Sequence, residues 1–196
     1  MPGAGIVVAG GHSVRFGAAD KALATVGGEA LVRRVASALG AVTPRVVVNC
    51  RSAQVPAVAD ALAPLAVPVS FATDRRPDRG PAAGLARALE AVACDRVLVS
   101  ACDLPFVSPK VLDGLVTAMD SEAVVAVDDT GRPMPLLGCY ETAALARALE
   151  DTSDVPLCSV LDTLAWRPHP LGERVLLDVN TEADRRRAET LLEVSP

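Results

Sequence analysis

Short runs of Val, Ile and Leu alternate along the chain with longer stretches in which Ala and Leu return every three or four positions. The runs are apolar at consecutive positions, as in strands buried on both faces, while the stretches carry a single apolar stripe, as in helices that cover a sheet. This pattern predicts strands over residues 5–8, 45–49, 67–71, 96–100, 123–127, 135–140 and 174–179. It predicts helices over 29–39, 53–63, 81–92, 109–119, 142–149, 156–164 and 181–193. Strand and helix alternate from one end to the other, so the expected class is α/β, a mainly parallel sheet with helices on both faces.

Several boundaries have local causes. Pro81 and Pro109 fall in first helical turns, and Ser108 stands where its hydroxyl caps exposed backbone amides. Thr181 and Asp184 have the spacing of a capping box, so that hydroxyl needs no functional explanation. The segment DDTGR, 128–132, reads as a turn. With no repeat, low-complexity tract or Pro/Gly linker, the expectation is one domain over residues 1–196.

Composition removes several function classes. A chain of 196 residues, 51% apolar, suits one sizeable core. The absence of a long apolar span and of a signal-type N-terminus predicts a cytoplasmic protein that neither crosses nor binds a membrane. The net charge of -5 is spread without basic blocks and aromatics are only 3%, which argues against a nucleic-acid partner. Cys50, Cys94, Cys102, Cys139 and Cys158 lie apart without a CxxC pair, so neither a zinc site nor a disulfide framework is expected, and most are read as reduced and buried. Lysine occurs only at Lys21 and Lys110, which gives weight to the one that lies in a loop.

Polar punctuation gathers where predicted strands end, the side of an open α/β sheet on which ligands bind. The first is VVAGGHSVRFGAADKAL, 7–23. Gly10 and Gly11 allow backbone close to a ligand, and Arg15 and Lys21 add a planar fork and a point charge suited to a triphosphate. The spacing is neither GxGxxG nor a P-loop, so an ordinary dehydrogenase or kinase is disfavoured, and spacing alone fits a charged turn as well. The second is VLVSACDLPF, 97–106, where Asp103 meets a strand end and either holds a cation such as Mg²⁺ or caps the next loop. The adjacent Cys102 reads as packing.

A third signal, LLDVNTEAD, 176–184, brings Asp178 and Asn180 before a helix, where they bind metal or ribose or cap that helix. Between them TDRRPDRGPAAG, 73–84, leads through Gly80 into a helix start that favours anions. His12 and His169 form no metal-spaced pair and read as surface or supporting groups; Trp166 reads as packing. Arg185, Arg186 and Arg187 read as a solvated helix face, with a docking edge as the alternative.

The ordered set AGGHSVRFGAADKAL, GPAAGLARAL, ACDLP, RPMPLLGCY and DVNTEAD resembles the molybdenum cofactor guanylyltransferase family, among the nucleotidyltransferases of Rossmann-like fold, over nearly the whole chain. That resemblance implies transfer of GMP from Mg-GTP to the terminal phosphate of molybdopterin or its molybdenum-bearing form, giving the guanine dinucleotide cofactor and pyrophosphate. It implies nucleotide contacts at Val8, Ala9, Gly10, Gly11, Asn49, Asp74 and Gly80, with Gly84 also close, phosphate contacts at Arg15 and Lys21, and Mg²⁺ at Asp103 with Asp178 completing the site. Arg132, Pro133, Pro135 and Asn180 fall where the family meets the pterin. Implied partners are GTP, molybdopterin and, transiently, molybdenum-insertion proteins or apo-molybdoenzymes.

Phe16 stands where the family often has Met, and Asp178 where Asn is also met; the second change adds a charge for metal. The segment 151–171 matches no family motif, which leaves acceptor specificity open there. Other readings of the same core are a cytidylyltransferase for molybdopterin, an enzyme acting on cobinamide phosphate or an isoprenoid alcohol phosphate, and a non-catalytic nucleotide-binding protein that delivers cofactor.

Overall fold

The computed structural model describes residues 1–10, 20–74, 80–150 and 156–193. In chain order they form β1 (Ala4–Val8), the short strands β2 (Thr25–Val26) and β3 (Glu29–Ala30), α1 (Leu31–Gly40), β4 (Val46–Cys50), α2 (Val55–Leu62) and β5 (Val69–Thr73). There follow α3 (Gly80–Leu89), β6 (Arg96–Ala101), α4 (Pro109–Thr117), β7 (Ala123–Val127), β8 (Pro133–Glu141) and α5 (Thr142–Glu150). A 3₁₀ helix (Leu157–Thr163), β9 (Trp166–Pro170), the single turn α6 (Glu173–Leu176) and α7 (Glu182–Glu193) complete the order.

Seven strands make one sheet in the order β5-β4-β1-β6-β8-β7-β9, in which β8 alone runs against the others. All residues of β1, β4 and β7 are buried, which is why those runs are apolar without alternation. Alternate side chains still part to opposite faces. Val7, Val46, Val48 and Leu98 join Val35 and Leu39 of α1, Val58 of α2 and Leu112 and Leu115 of α4. Ile6, Val47, Val97 and Val99 face Leu85 and Ala88 of α3 and Leu145 of α5. Each such side chain contributes roughly 1.5–3 kcal/mol on burial, so Val48→Asp would strand a charge among aliphatic neighbours.

Predicted caps are present: Ser108 accepts the Val111 N–H at 3.4 Å ahead of Pro109, and Thr181 accepts the Asp184 N–H at 3.2 Å. Three expectations are corrected. Residues 174–179 form no strand; after α6 the chain runs on to bury Leu177 and Val179 against Val26, Leu31 and Ala188, a small cluster between the β2–β3 hairpin and α7. The seventh strand is instead β9, which pairs only with β7 and carries Pro168 and Pro170, tolerable because an edge strand has one side without ladder bonds. The helix expected over 156–164 is a 3₁₀ helix (Leu157–Thr163).

Candidate active site

The sheet changes direction at β1: the chain adds β4 and β5 on one side, then crosses to place β6 on the other. The carboxyl ends of β1, β4, β5 and β6 converge on that point, where a doubly wound sheet opens a crevice. Val8, Ala9 and Gly10 leave β1 there, Asn49 lies near the end of β4, Asp74 follows β5 and Asp103 follows β6. The Ala9 N–H donates to the Asn49 carbonyl at 2.8 Å, and the Cys102 N–H to the Val8 carbonyl at 3.1 Å. Those groups therefore extend the ladder past the strand ends, which narrows the backbone expected to meet a nucleotide.

Lys21 is the hub of the site. Its Nζ donates to Asp103 Oδ2 at 2.6 Å and to Asn180 Oδ1 at 2.5 Å, joining positions 82 and 159 residues away. Both charged side chains are mostly sheltered, 18% and 19% exposed. Two bonds with a charged partner, about 1.5–3 kcal/mol each, exceed the roughly 2 kcal/mol of rotamer freedom in a lysine stem, so the ammonium takes one defined place. Asn180 in turn donates its Nδ2 to the exposed Asp178 carboxylate, and the Val179 N–H donates to the Asp103 carbonyl at 2.9 Å. The two expected metal carboxylates thus lie in one linked cluster.

That cluster consists of hard oxygen donors, Asp103, Asp178 and the Asn180 amide, with no cluster of three or more Asp, Glu, His or Cys among the described residues. Such a set fits Mg²⁺, which keeps waters and takes one or two carboxylates plus substrate phosphates rather than an all-protein cage. Cys102 is 6% exposed, and burial first, then the Asp103 charge, pushes its thiol far above the ordinary value, in keeping with a packing residue.

A second group lies across β1. Asn49, fully buried, donates its Nδ2 to the Ala72 carbonyl at 3.0 Å and to Asp74 Oδ1 at 2.7 Å, while its Oδ1 has no hydrogen-bond partner among the described residues. Glycines make room for it. A Cβ on Gly84 would stand 2.2 Å from Asn49 Oδ1, and one on Gly10 would stand 2.7 Å from Asp74 Oδ2. The absent Cβ of Gly84 thus leaves the space that Asn49 fills, and Asn49 orients the Asp74 carboxylate at the end of β5.

Gly80 opens α3 with φ +76°, a conformation that suits glycine, and nothing stands within 4 Å of a Cβ built there. Arg132 ends the turn between β7 and β8: its N–H and that of Thr130 donate to Asp128 Oδ1, both at 2.9 Å. The Thr130 hydroxyl, the main cause, holds the Asp128 carboxyl below its ordinary value. Pro135 offers its carbonyl to the Tyr140 hydroxyl at 2.6 Å. Leu137 is paired with Ser100, so Pro133 and Pro135 run past the carboxyl end of β6, on the Asp103 side of the sheet. Gly11 and Arg15, with His12 and Phe16, lie outside the described residues.

Two groups escaped sequence reasoning. Asp20 Oδ1 accepts the Ala22 N–H at 3.1 Å and so caps the 3₁₀ turn that carries Lys21. Gln54, 4% exposed, donates to the other Asp20 oxygen. An Asp directly before a short Lys-Ala-Leu turn was the available signal for the first; nothing in the sequence marks the second.

The family model for the MobA-like NTP transferase domain matches residues 5–169. This chain belongs to that family. MobA-like proteins of this kind are nucleotidyltransferases, and the curated relatives agree in name. A probable molybdenum cofactor guanylyltransferase of Natronomonas pharaonis is 36% identical over 87% of this chain and 83% of its own length. One from Haloferax mediterranei is 34% identical over 93% and 91%. Among solved structures, molybdopterin-guanine dinucleotide biosynthesis protein A from Archaeoglobus fulgidus superposes with a TM-score of 0.78 at 24% identity, covering 98% of this chain and 100% of that one. A nucleotidyl transferase from Methanothermobacter has a TM-score of 0.80 at 20% identity over 98% of each, which carries the fold alone. The MobA-like match ends before Asp178 and Asn180, so the arm that reaches Lys21 lies beyond the matched span. No helix among the described residues is long and apolar enough to cross a membrane.

Proposed function

We propose that this MobA-like nucleotidyltransferase moves GMP from Mg-GTP to the terminal phosphate of molybdopterin or its molybdenum-bearing form, giving the guanine dinucleotide and pyrophosphate. The observation that carries the reading is Lys21, the ammonium held against Asp103 and Asn180 where β1 and β6 open. The names of the relatives supply the acceptor.

An acceptor phosphate oxygen forms the new bond to the α-phosphorus, and the bond to pyrophosphate breaks with its electron pair leaving on that group. No covalent intermediate on the chain is required. Rate then comes from alignment and charge neutralisation. Lys21, with Arg15, would bind phosphate oxygens and neutralise the charge that builds on the leaving group. Asp103, with Asp178, would hold Mg²⁺, which when bound supplies further positive charge to the phosphates. Asp74, aimed by Asn49, would accept from guanine, whose N1 and N2 groups are donors. Arg132 and the start of β8 would meet the acceptor. The same reading gives the enzyme a cytoplasmic setting and transient contacts with molybdenum-insertion proteins or apo-molybdoenzymes.

The test supplies each of the four nucleoside triphosphates with Mg²⁺ and molybdopterin and reads the product by mass. GTP should give the dinucleotide, and Asp103→Asn should slow it roughly 10²–10³-fold. A product from CTP instead, or GTP binding with no transfer, would overturn the assignment of donor or acceptor respectively.

A further inference from the structure

Gln54 is a buried polar side chain outside the residues that face the crevice, and both its amide oxygen and its amide nitrogen are hydrogen-bonded. Its Oε1 accepts the Arg51 N–H at 2.7 Å and Arg51 Nε at 3.2 Å, and its Nε2 donates to Asp20 Oδ2 at 2.6 Å, across 34 residues of chain. Arg51 Nη2 stands 3.7 Å from the same Asp20 oxygen. Asp20 Oδ1 meanwhile caps the turn Lys21–Leu23. One carboxylate therefore divides its oxygens: one fixes the local turn and the other pins that turn to the residues just before α2.

A leucine would fill similar volume without the desolvation that a buried amide incurs, so core packing alone does not call for glutamine here. What the amide fixes is the backbone one residue before Lys21. The lysine stem is flexible, and where its ammonium arrives depends on where the stem starts. We propose that Gln54 and Asp20 are positioning residues for Lys21: the amide–carboxylate bond sets the turn so that Nζ is delivered beside Asp103, where the triphosphate is to be held. The proposal rests on the phosphate role given to Lys21 above.

The test compares Mg-GTP affinity, KM and kcat in the full-length protein for Lys21→Ala, Gln54→Leu and the double variant, with a thermal melt for each. Gln54→Leu should weaken GTP binding roughly 10- to 100-fold. The double variant should bind no worse than Lys21→Ala alone, because both changes remove one function. The pair Asp20→Asn with Gln54→Glu reverses the polarity of the bond while keeping the cap on Ala22 and the bonds from Arg51 to position 54, at the loss of the 3.7 Å Arg51–Asp20 contact, so it should recover part of the affinity that Gln54→Leu loses; it also carries the test if Gln54→Leu does not fold. Wild-type GTP binding in a less stable Gln54→Leu, or additive losses in the double variant, would make Gln54 structural only. If Lys21→Ala itself binds GTP normally, the phosphate reading fails first and this inference with it.

Discussion

The backbone N–H of Asn180 donates to Asp184 Oδ2 at 3.1 Å, so the carboxylate that closes the capping box of α7 also holds the residue whose side chain reaches Lys21. A helix cap and a site contact share one oxygen.

That sharing has a pH signature. The Thr181 hydroxyl, ahead of the Thr181 and Asn180 amides, holds the Asp184 carboxyl below its ordinary value. A depressed carboxyl stabilises the fold above the unfolded value, about 3.9, and the contribution is lost as pH falls through the lower folded value. Asp184→Ala should therefore lower the melting temperature at pH 7, by the equivalent of about 0.5–2 kcal/mol for a lost cap, and the gap from wild type should close below about pH 4. A gap that stays constant with pH would refute the ionic part.

Gly84→Ala should cost about 1–3 kcal/mol, because its Cβ would sit 2.2 Å from Asn49 Oδ1 while Asn49 is tied to Ala72 and Asp74. Moving Asn49 releases Asp74, so preference for guanine among bound nucleotides should weaken with stability. Competition binding and a denaturant melt check the two together; a melt equal to wild type would deny the close approach.

Tyr140 is the sole tyrosine, 1% exposed, with its hydroxyl donated to the Pro135 carbonyl. Burial first, and Cys139 after it, push that hydroxyl above its ordinary value of about 10. Spectrophotometric titration should show no tyrosinate at pH 11 until the protein unfolds. Tyr140→Phe should cost about 1–3 kcal/mol by leaving the Pro135 carbonyl unsatisfied.

Thiol labelling of the native protein should begin at Cys158, which is exposed. Burial pushes Cys50 and Cys139 each up to about 11 and Cys102 further, so these three should stay unmodified at pH 8 until denaturant is added. Mass mapping after brief alkylation reads the order, and early modification of Cys102 would contradict its burial.

The parallel core was legible because β1, β4 and β6 are largely apolar at consecutive positions, with paired glycines soon after β1, Asn49 near the end of β4 and Asp103 just past β6. Residues 174–179 misled because their apolar residues bury against a hairpin and a helix rather than within a sheet. The strand Trp166–Pro170 was hidden by its two prolines, which only an edge accepts. Lys21, Asp103 and Asn180, which the structure brings into one cluster, each stood out locally as a polar residue in a loop or near an apolar run. Gln54 carried none, because its meaning lies in Asp20, 34 residues away. At Gly84 only packing reveals that the vacant Cβ position is filled by Asn49.

The bond from Val179 to Asp103, and the one from Lys21 to Asn180, join early and late parts of the chain. A ribosome delivers the N-terminal parts first, and strands β1 to β9 are all in hand before Asn180 emerges. All strands of the sheet are thus synthesised before the Lys21–Asn180 bond can form. Lys21 therefore waits for one of its two partners until nearly the whole chain has been made.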